Sequence, residues 1–297
     1  MRTLSALALL ALLSGCSVSP EPIAETPDAP RETRTPLMEL NLAGGALSGS
    51  FDIASLDGAC EAFDTLRIDG DLFAADLDSA SLPDVSCITV VTGDLVIASN
   101  PELVSLQPLV GLRTVGGDIV VQDNPELLDL LGLDRITRAR SITIAGNDSL
   151  LDLEGLDSLT DVTDHLTVAD NDGIQSLEGL LSLAPDWNGD IVVVGNGDLR
   201  DLSGLDTLAN LRGTLEVARN PVLDSLAGTE GLRDIGDTLR VHGNDALTDI
   251  TALGSVQTIG GDLLVTDNPR LAAESVSDLV SSIQEIEGSV ITTGNGE

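Results

Sequence analysis

Few side chains in this sequence are suited to chemistry near neutral pH, and their spacing limits what that chemistry could be. There are two histidines, His165 and His242, and three cysteines, Cys16, Cys60 and Cys87. A histidine pair serves as base and orienting group, or as two ligands of one metal, only if the fold brings the rings within bonding reach. Acidic side chains abound, with 34 Asp and 15 Glu against 14 Arg and no Lys. Asp94 and Asp118 stand out as a pair, since carboxylates stacked on adjacent coils are how polysaccharide-cleaving β-helices build their sites. Which of these groups meet depends on the elements that carry them.

Those elements repeat. Asn recurs at Asn100, Asn124, Asn147, Asn171, Asn196, Asn220, Asn244 and Asn268, with spacings of 24, 23, 24, 25, 24, 24 and 24. A period of this length marks a solenoid. Five residues before each Asn stand Leu95, Ile119, Ile142, Leu166, Ile191, Leu215, Leu239 and Leu263, and three before it Ile97, Val121, Ile144, Val168, Val193, Val217, Val241 and Val265. This alternation, rich in β-branched residues, predicts one short strand per repeat with both side chains buried.

Three residues after the Asn, Leu103 opens a row that runs to Leu271, and six after it Leu106 opens another that runs to Ile250. A Gly follows at position eight in Gly132, Gly155, Gly179, Gly204 and Gly228, and an apolar residue at position twelve from Leu112 to Val280. One such coil cannot bury its own apolar face, so coils stack, their strands pair in parallel about 4.8 Å apart, and the rows become one core. The Asn, buried in register at the strand end, is expected to bond backbone groups in the coils above and below as a ladder. Pro101, Pro125, Pro221 and Pro269 after it fix the turn and donate no N–H.

The stacking decides the chemistry. His165 lies six residues before its Asn and His242 two before its own, three coils further on. Three coils put them about 14 Å apart, too far for one metal or a base–orienter pair. Asp94 and Asp118 hold the same position on adjacent coils, but the ladder breaks at Ser141, which favours Asp that cap turns. Calcium is the other occupant such Asp pairs suggest, although the Gly-Gly-x-Gly-x-Asp nonapeptide of calcium β-rolls is missing. No catalytic residue, metal or cofactor is assigned.

The motif (V/I)GGD(L/I)x(I/V)xxNPxLxxL, at residues 115–130 and again at 259–271, resembles the receptor L-domain group of leucine-rich solenoids, found in receptor ectodomains and in many bacterial lipoproteins. The resemblance covers residues 60–295 and implies binding rather than catalysis. It departs from ordinary leucine-rich repeats in placing Leu three rather than two residues after the Asn, and from the receptors in having neither a second L domain nor a Cys-rich module. The expected fold is therefore mainly β: a right-handed parallel β-solenoid of leucine-rich coils of about 24 residues. Phe51, Ile53, Leu66 and Ile68 read as irregular first strands, and residues 272–287, with Val276, Leu279, Val280 and Ile283 at helical spacing, as a short capping helix before a ninth strand at 289–292 and Asn295.

The N-terminus has its own grammar. Arg2 gives a positive start, residues 4–13 are nearly all Leu and Ala, and Leu13-Ser14-Gly15-Cys16 follows. The apolar run is too short to span a bilayer and has signal-peptide length. The tetrapeptide resembles the lipobox of bacterial lipoproteins, which implies cleavage before Cys16 and a diacylglycerol on its thiol. Ser17 rather than Asp then favours the outer membrane, on either its periplasmic or its outer side. Four segments result: a signal peptide at 1–15, the lipidated Cys and a Pro-rich disordered tether at 16–36, a cap with irregular coils at 37–94, and the regular solenoid with its C-terminal cap at 95–297. With Cys16 lipidated, Cys60 and Cys87 remain as a pair in an oxidising compartment, where a disulfide is the first expectation and two buried thiols the alternative.

The formal net charge is −35, or −36 without Arg2, and such a surface repels nucleic acid. The sequence leaves a non-enzymatic membrane-anchored module that presents its sheet face to a protein or glycan, or a structural envelope protein with no discrete ligand. The chain is expected to be a monomer. Outward strand positions read Val96, Val120, Thr143, Thr167, Val192, Glu216, Arg240 and Leu264, not the regular Thr array of an ice-binding face. Glu216, Arg240 and His242 break the monotony on adjacent coils and mark a candidate binding face, or else a cross-strand ion pair of little energetic weight.

Overall fold

The computed structural model describes residues 45–297. The segments expected to be a signal peptide and a tether, with Cys16 and residues 37–44, lie outside that range. Among the described residues every named strand pairing is parallel. The longest sheet has eleven strands, in chain order from Phe51–Asp52 to Val290–Ile291. Ile142 faces Ile119 on one side and Leu166 on the other, and Ile144 faces Val121 and Val168, so each repeat position meets itself in the next coil. The inward rows are buried throughout. This is the expected β-solenoid, and no helix among the described residues is long and apolar enough to cross a membrane.

Two further buried rows complete the core. One is Leu109, Leu133, Leu156, Leu180, Leu205 and Leu253, nine residues after the Asn, with the buried Thr229 in line. The other lies on a second flank, where Val115, Val162, Trp187, Leu211, Ile235 and Ile259 each end a two-residue strand. That flank splits into sheets of four, two and five strands. The splits fall at the two coils of odd length. Ala139 and Ile142 are three apart where Val115 and Ile119 are four apart, and one extra residue lies between Leu183 and Trp187. The insertion brings Pro185, which has no N–H for a ladder.

The Asn ladder is continuous. Oδ1 of Asn171 accepts the backbone N–H of Asn147 at 3.0 Å and its side-chain amide at 3.2 Å. Its own Nδ2 donates to the carbonyls of Ile144 and Ala169, both at 3.0 Å, and to Oδ1 of Asn196 at 3.2 Å. The same amide-to-amide bond joins every neighbour from Asn100 to Asn295. Leu77 holds the station before Asn100, and only its backbone N–H joins the ladder, at 3.0 Å.

Much of the acidity is turn chemistry. Asp129, Asp152, Asp201 and Asp249, five residues after their Asn, each accept the N–H two residues on. Asp134, Asp157 and Asp206 each accept the N–H of the Gly two residues before. The first set are Asx turns, which favour the short Asp side chain; the second set clips the Gly from the far side of the turn, a place that Glu230 fills at Gly228.

The ends differ from the middle. Phe51, Leu66 and Ile68 lie in strands as expected, whereas Ile53 opens a 3₁₀ segment, Ile53–Leu56. Cys60, on the short helix Ala59–Ala62, is bonded to Cys87 with Cα atoms 5.3 Å apart. At the far end the helix Ala273–Ser282 buries Val276 and Leu279 and packs against the 3₁₀ segment Thr251–Ser255 of the preceding coil. It widens the last coil instead of covering its end: Val290 and Ile291 of the final strand stay 45 % and 44 % exposed. It also moves the twelfth-position row by three residues, so that Ile283, not Val280, continues it after Val256.

Candidate functional site

Outward side chains of the long sheet form two columns. The column four residues before the Asn station runs from Asp52 and Phe73 through Val96, Val120, Thr143, Thr167 and Val192 to Glu216, Arg240, Leu264 and Ile291. The column two residues before it is mostly Ala, with Gln122, Val194, His242 and Thr266. Small residues packed at strand spacing shield one another, and Thr143, Thr167 and Ala218 are buried.

Glu216, Arg240 and His242 meet at the end of this face. The strands Leu215–Ala218 and Leu239–His242 pair so that Glu216 stands opposite Arg240 and Ala218 opposite His242. Nη1 of Arg240 donates to Oε2 of Glu216 at 2.9 Å, and Nε2 of His242 lies 3.4 Å from Oε1. Ala218 leaves room for the imidazole to lean diagonally across the strand pair. The Glu216 side chain is only 15 % exposed. The hydrogen bond with His242 holds its carboxyl below the usual carboxylate range, burial opposes this, and Arg240 reinforces it. The arrangement can hold a carboxylate ionised and aim a guanidinium and an imidazole outward.

His165 is elsewhere. It opens the strand His165–Ala169, with Nδ1 3.7 Å from Asp164, and two whole strands separate it from the strand of His242. Asp94 and Asp118 do stack, and each carboxylate is used. Oδ1 of Asp71 accepts the N–H of Asp94 at 2.9 Å, and Oδ1 of Asp94 that of Asp118 at 2.8 Å. Arg140 then closes the series, bonding Asp118 through Nε at 2.8 Å and approaching Asp94 at 3.5 Å. Among the described residues no group of three or more His, Cys, Asp and Glu is placed to hold a metal ion.

One feature of the face went unread in the sequence. The residue just before each Asn station is left-handed: Asp76, Ser99, Asp123, Asp170, Arg219 and Asp267 have φ of 53° to 59°, and Gly146, Gly195, Gly243 and Gly294 fill the other coils. From Asp123 onward a side chain and a Gly alternate coil by coil, which is a two-coil period hidden inside the 24-residue one. Arg219 takes the Asp place in that series, one coil from His242. Asp170 is exposed as a residue, but partial burial of its carboxyl pushes it up, Arg219 lowers it and Asp172 raises it. The signal was the Gly/Asp alternation itself, since these residue types tolerate positive φ. Comparison of the chain with protein-family models, with curated proteins and with solved structures returns no match.

Proposed function

We propose that this protein is a lipid-anchored, extracytoplasmic binding or adhesion module of the bacterial envelope, without catalytic activity, that presents the outer face of its long sheet to a protein or glycan. The carrying observation is the cluster of Glu216, Arg240 and His242, where both outward columns, uncharged from Phe73 to Val194, take up ionisable side chains on adjacent coils. A stacked core needs no such change, because outward residues do not enter it. The likeness of the repeat to receptor L domains supports the reading. So do the lipobox-like Leu13-Ser14-Gly15-Cys16 and the Pro-rich stretch after it, which would hold the solenoid away from a bilayer.

The two halves of the proposal are tested separately. Cys16→Ser is expected to abolish labelling by a fatty-acid probe and release the chain from the outer-membrane fraction; a labelled, membrane-bound variant contradicts the anchor. For binding, the chain serves as bait on native membranes beside Arg240→Glu, on the sheet face, and Leu151→Glu, on another side where Leu151 is 55 % exposed. A partner lost from the first variant and kept by the second supports the face. Equal capture by all three contradicts it, and no capture by any of them favours a structural envelope protein.

A further inference from the structure

The sheet face also carries a pattern in charge. Phe73, Val96, Val120, Thr143, Thr167 and Val192 make an uncharged row across six successive strands. At about 4.8 Å per strand the row is about 24 Å long. Carboxylates stand on both sides of it, interrupted by Ser141 and His165 where the strands begin and by Ser99, Gly146 and Gly195 where they end. Asp71, Asp94, Asp118 and Asp190 stand where the strands begin, with Arg140 tied to Asp118 and Asp94. Asp76, Asp123 and Asp170 stand where they end, each exposed and left-handed. The two borders are five positions apart along the strand, about 16 Å.

Resting on the sheet-face reading above, and from these dimensions and charges, we infer that this strip docks a cationic amphipathic helix lying across the strands. A helix is about 10–12 Å wide, so it fits between borders about 16 Å apart and leaves room for Lys and Arg to reach carboxylates on either side. A row of about 24 Å matches about sixteen helical residues, whose apolar stripe would meet Val, Thr and Phe side chains. A polyanion is repelled by both borders. A neutral glycan can donate hydroxyls to carboxylates but has no positive charge to meet two acidic borders. Among the described residues a second copy offers no such helix, since Ala273–Ser282 carries Glu274 and Asp278 and neither Lys nor Arg.

The test titrates the full chain with three labelled peptides of about sixteen residues, the length set by the helical rise. One has Leu and Ala in a stripe with Lys on the flanks, one scrambles that composition, and one replaces Lys by Glu. The striped cationic peptide is expected to bind, more weakly as salt rises, and to lose about tenfold in affinity with Val120→Glu or with the isosteric pair Asp123→Asn and Asp170→Asn, but not with Leu151→Glu. The Asn pair removes charge at exposed positions without disturbing packing, so it reads charge even if the Glu variant unfolds. Equal binding of the scrambled peptide, indifference to the Asn pair, or no binding at all overturns the inference. If the acidic peptide binds instead and Val120→Glu abolishes it, only the cationic assignment falls and the sheet face stands. If cationic binding survives Val120→Glu in a folded variant, the sheet face falls with it.

Discussion

The Asp123 carboxylate lies over Gly146: a Cβ added to Gly146 would come within 2.6 Å of its Oδ1. Both residues are left-handed, at φ 55° and 64°. Asp170 over Gly195 and Asp267 over Gly294 repeat the relation two and six coils further on. Gly146→Ala is therefore expected to destabilise the chain by about 1–2 kcal/mol, partly from left-handed strain and partly from the contact. Adding Asp123→Ala should return the contact share and leave the strain. Urea midpoints of the two single variants and the double variant measure this, and strict additivity would deny the contact.

The ladder gives a graded prediction. Asn171→Ala leaves the N–H and amide of Asn147 and the carbonyl of Ile144 short of partners and should cost about 1–3 kcal/mol. Asn295→Ala, at the end, strands only Asn268 and Val265 groups that are nearer solvent and should cost less. Val168→Asp puts a charge between stacked apolar rows and should be the worst of the three. A Val168→Asp chain that melts like the parent contradicts the core.

The Cys60–Cys87 bond closes 27 positions at the least regular end of the solenoid. In the chain-entropy model a loop of this size restricts the unfolded chain by about 3–4 kcal/mol. The unreduced chain should titrate no thiol at these positions. After reduction, proteolysis should begin before residue 95 and leave a resistant C-terminal fragment, since repeats fray from an unclipped end. First cuts in the middle coils would contradict this.

Two carboxylates should respond to acid with opposite sign. The folded fold lowers the Glu216 pKa, so its stabilising share is present above the ordinary carboxylate range and is lost as pH falls through the lowered value. The stability gap between parent and Glu216→Gln should shrink on acidification. Asp170 is raised, so its penalty is present at neutral pH and relieved as pH falls through the raised value. Asp170→Asn should gain stability at neutral pH and lose that advantage in acid. Denaturant midpoints across the acid range check both, and parallel curves for all three chains would contradict them.

The period was readable because stacking forces each buried position to recur. Asn100 to Asn268, the strand rows and the Leu rows are copies of one requirement. The row nine residues after the Asn is equally regular but does not stand out in a sequence so rich in Leu. The split flank was not legible, because it depends on one residue lost before Ile142 and one gained near Pro185, which change register without changing composition. The ion pair of Glu216 and Arg240 was readable from their shared station. His242 joining it was not, because that depends on how far Ala218 lets the ring lean. The left-handed series was written in the Gly/Asp alternation, at a spacing of two coils rather than one.

The central claim is that one side of the solenoid, the outer face of its long sheet, meets the partner. Photo-crosslinking residues placed singly at Val120, Val192 and Leu264 on that face, and at Leu128, Leu151 and Val222 away from it, test this in intact cells. Leu128 and Leu151 are more than half exposed, at 53 % and 55 %, so a lack of adducts there does not come from poor access. The account predicts one shared adduct from the face positions and none from the others. Adducts from Leu128, Leu151 or Val222 alone, or no adduct from any position, would contradict it.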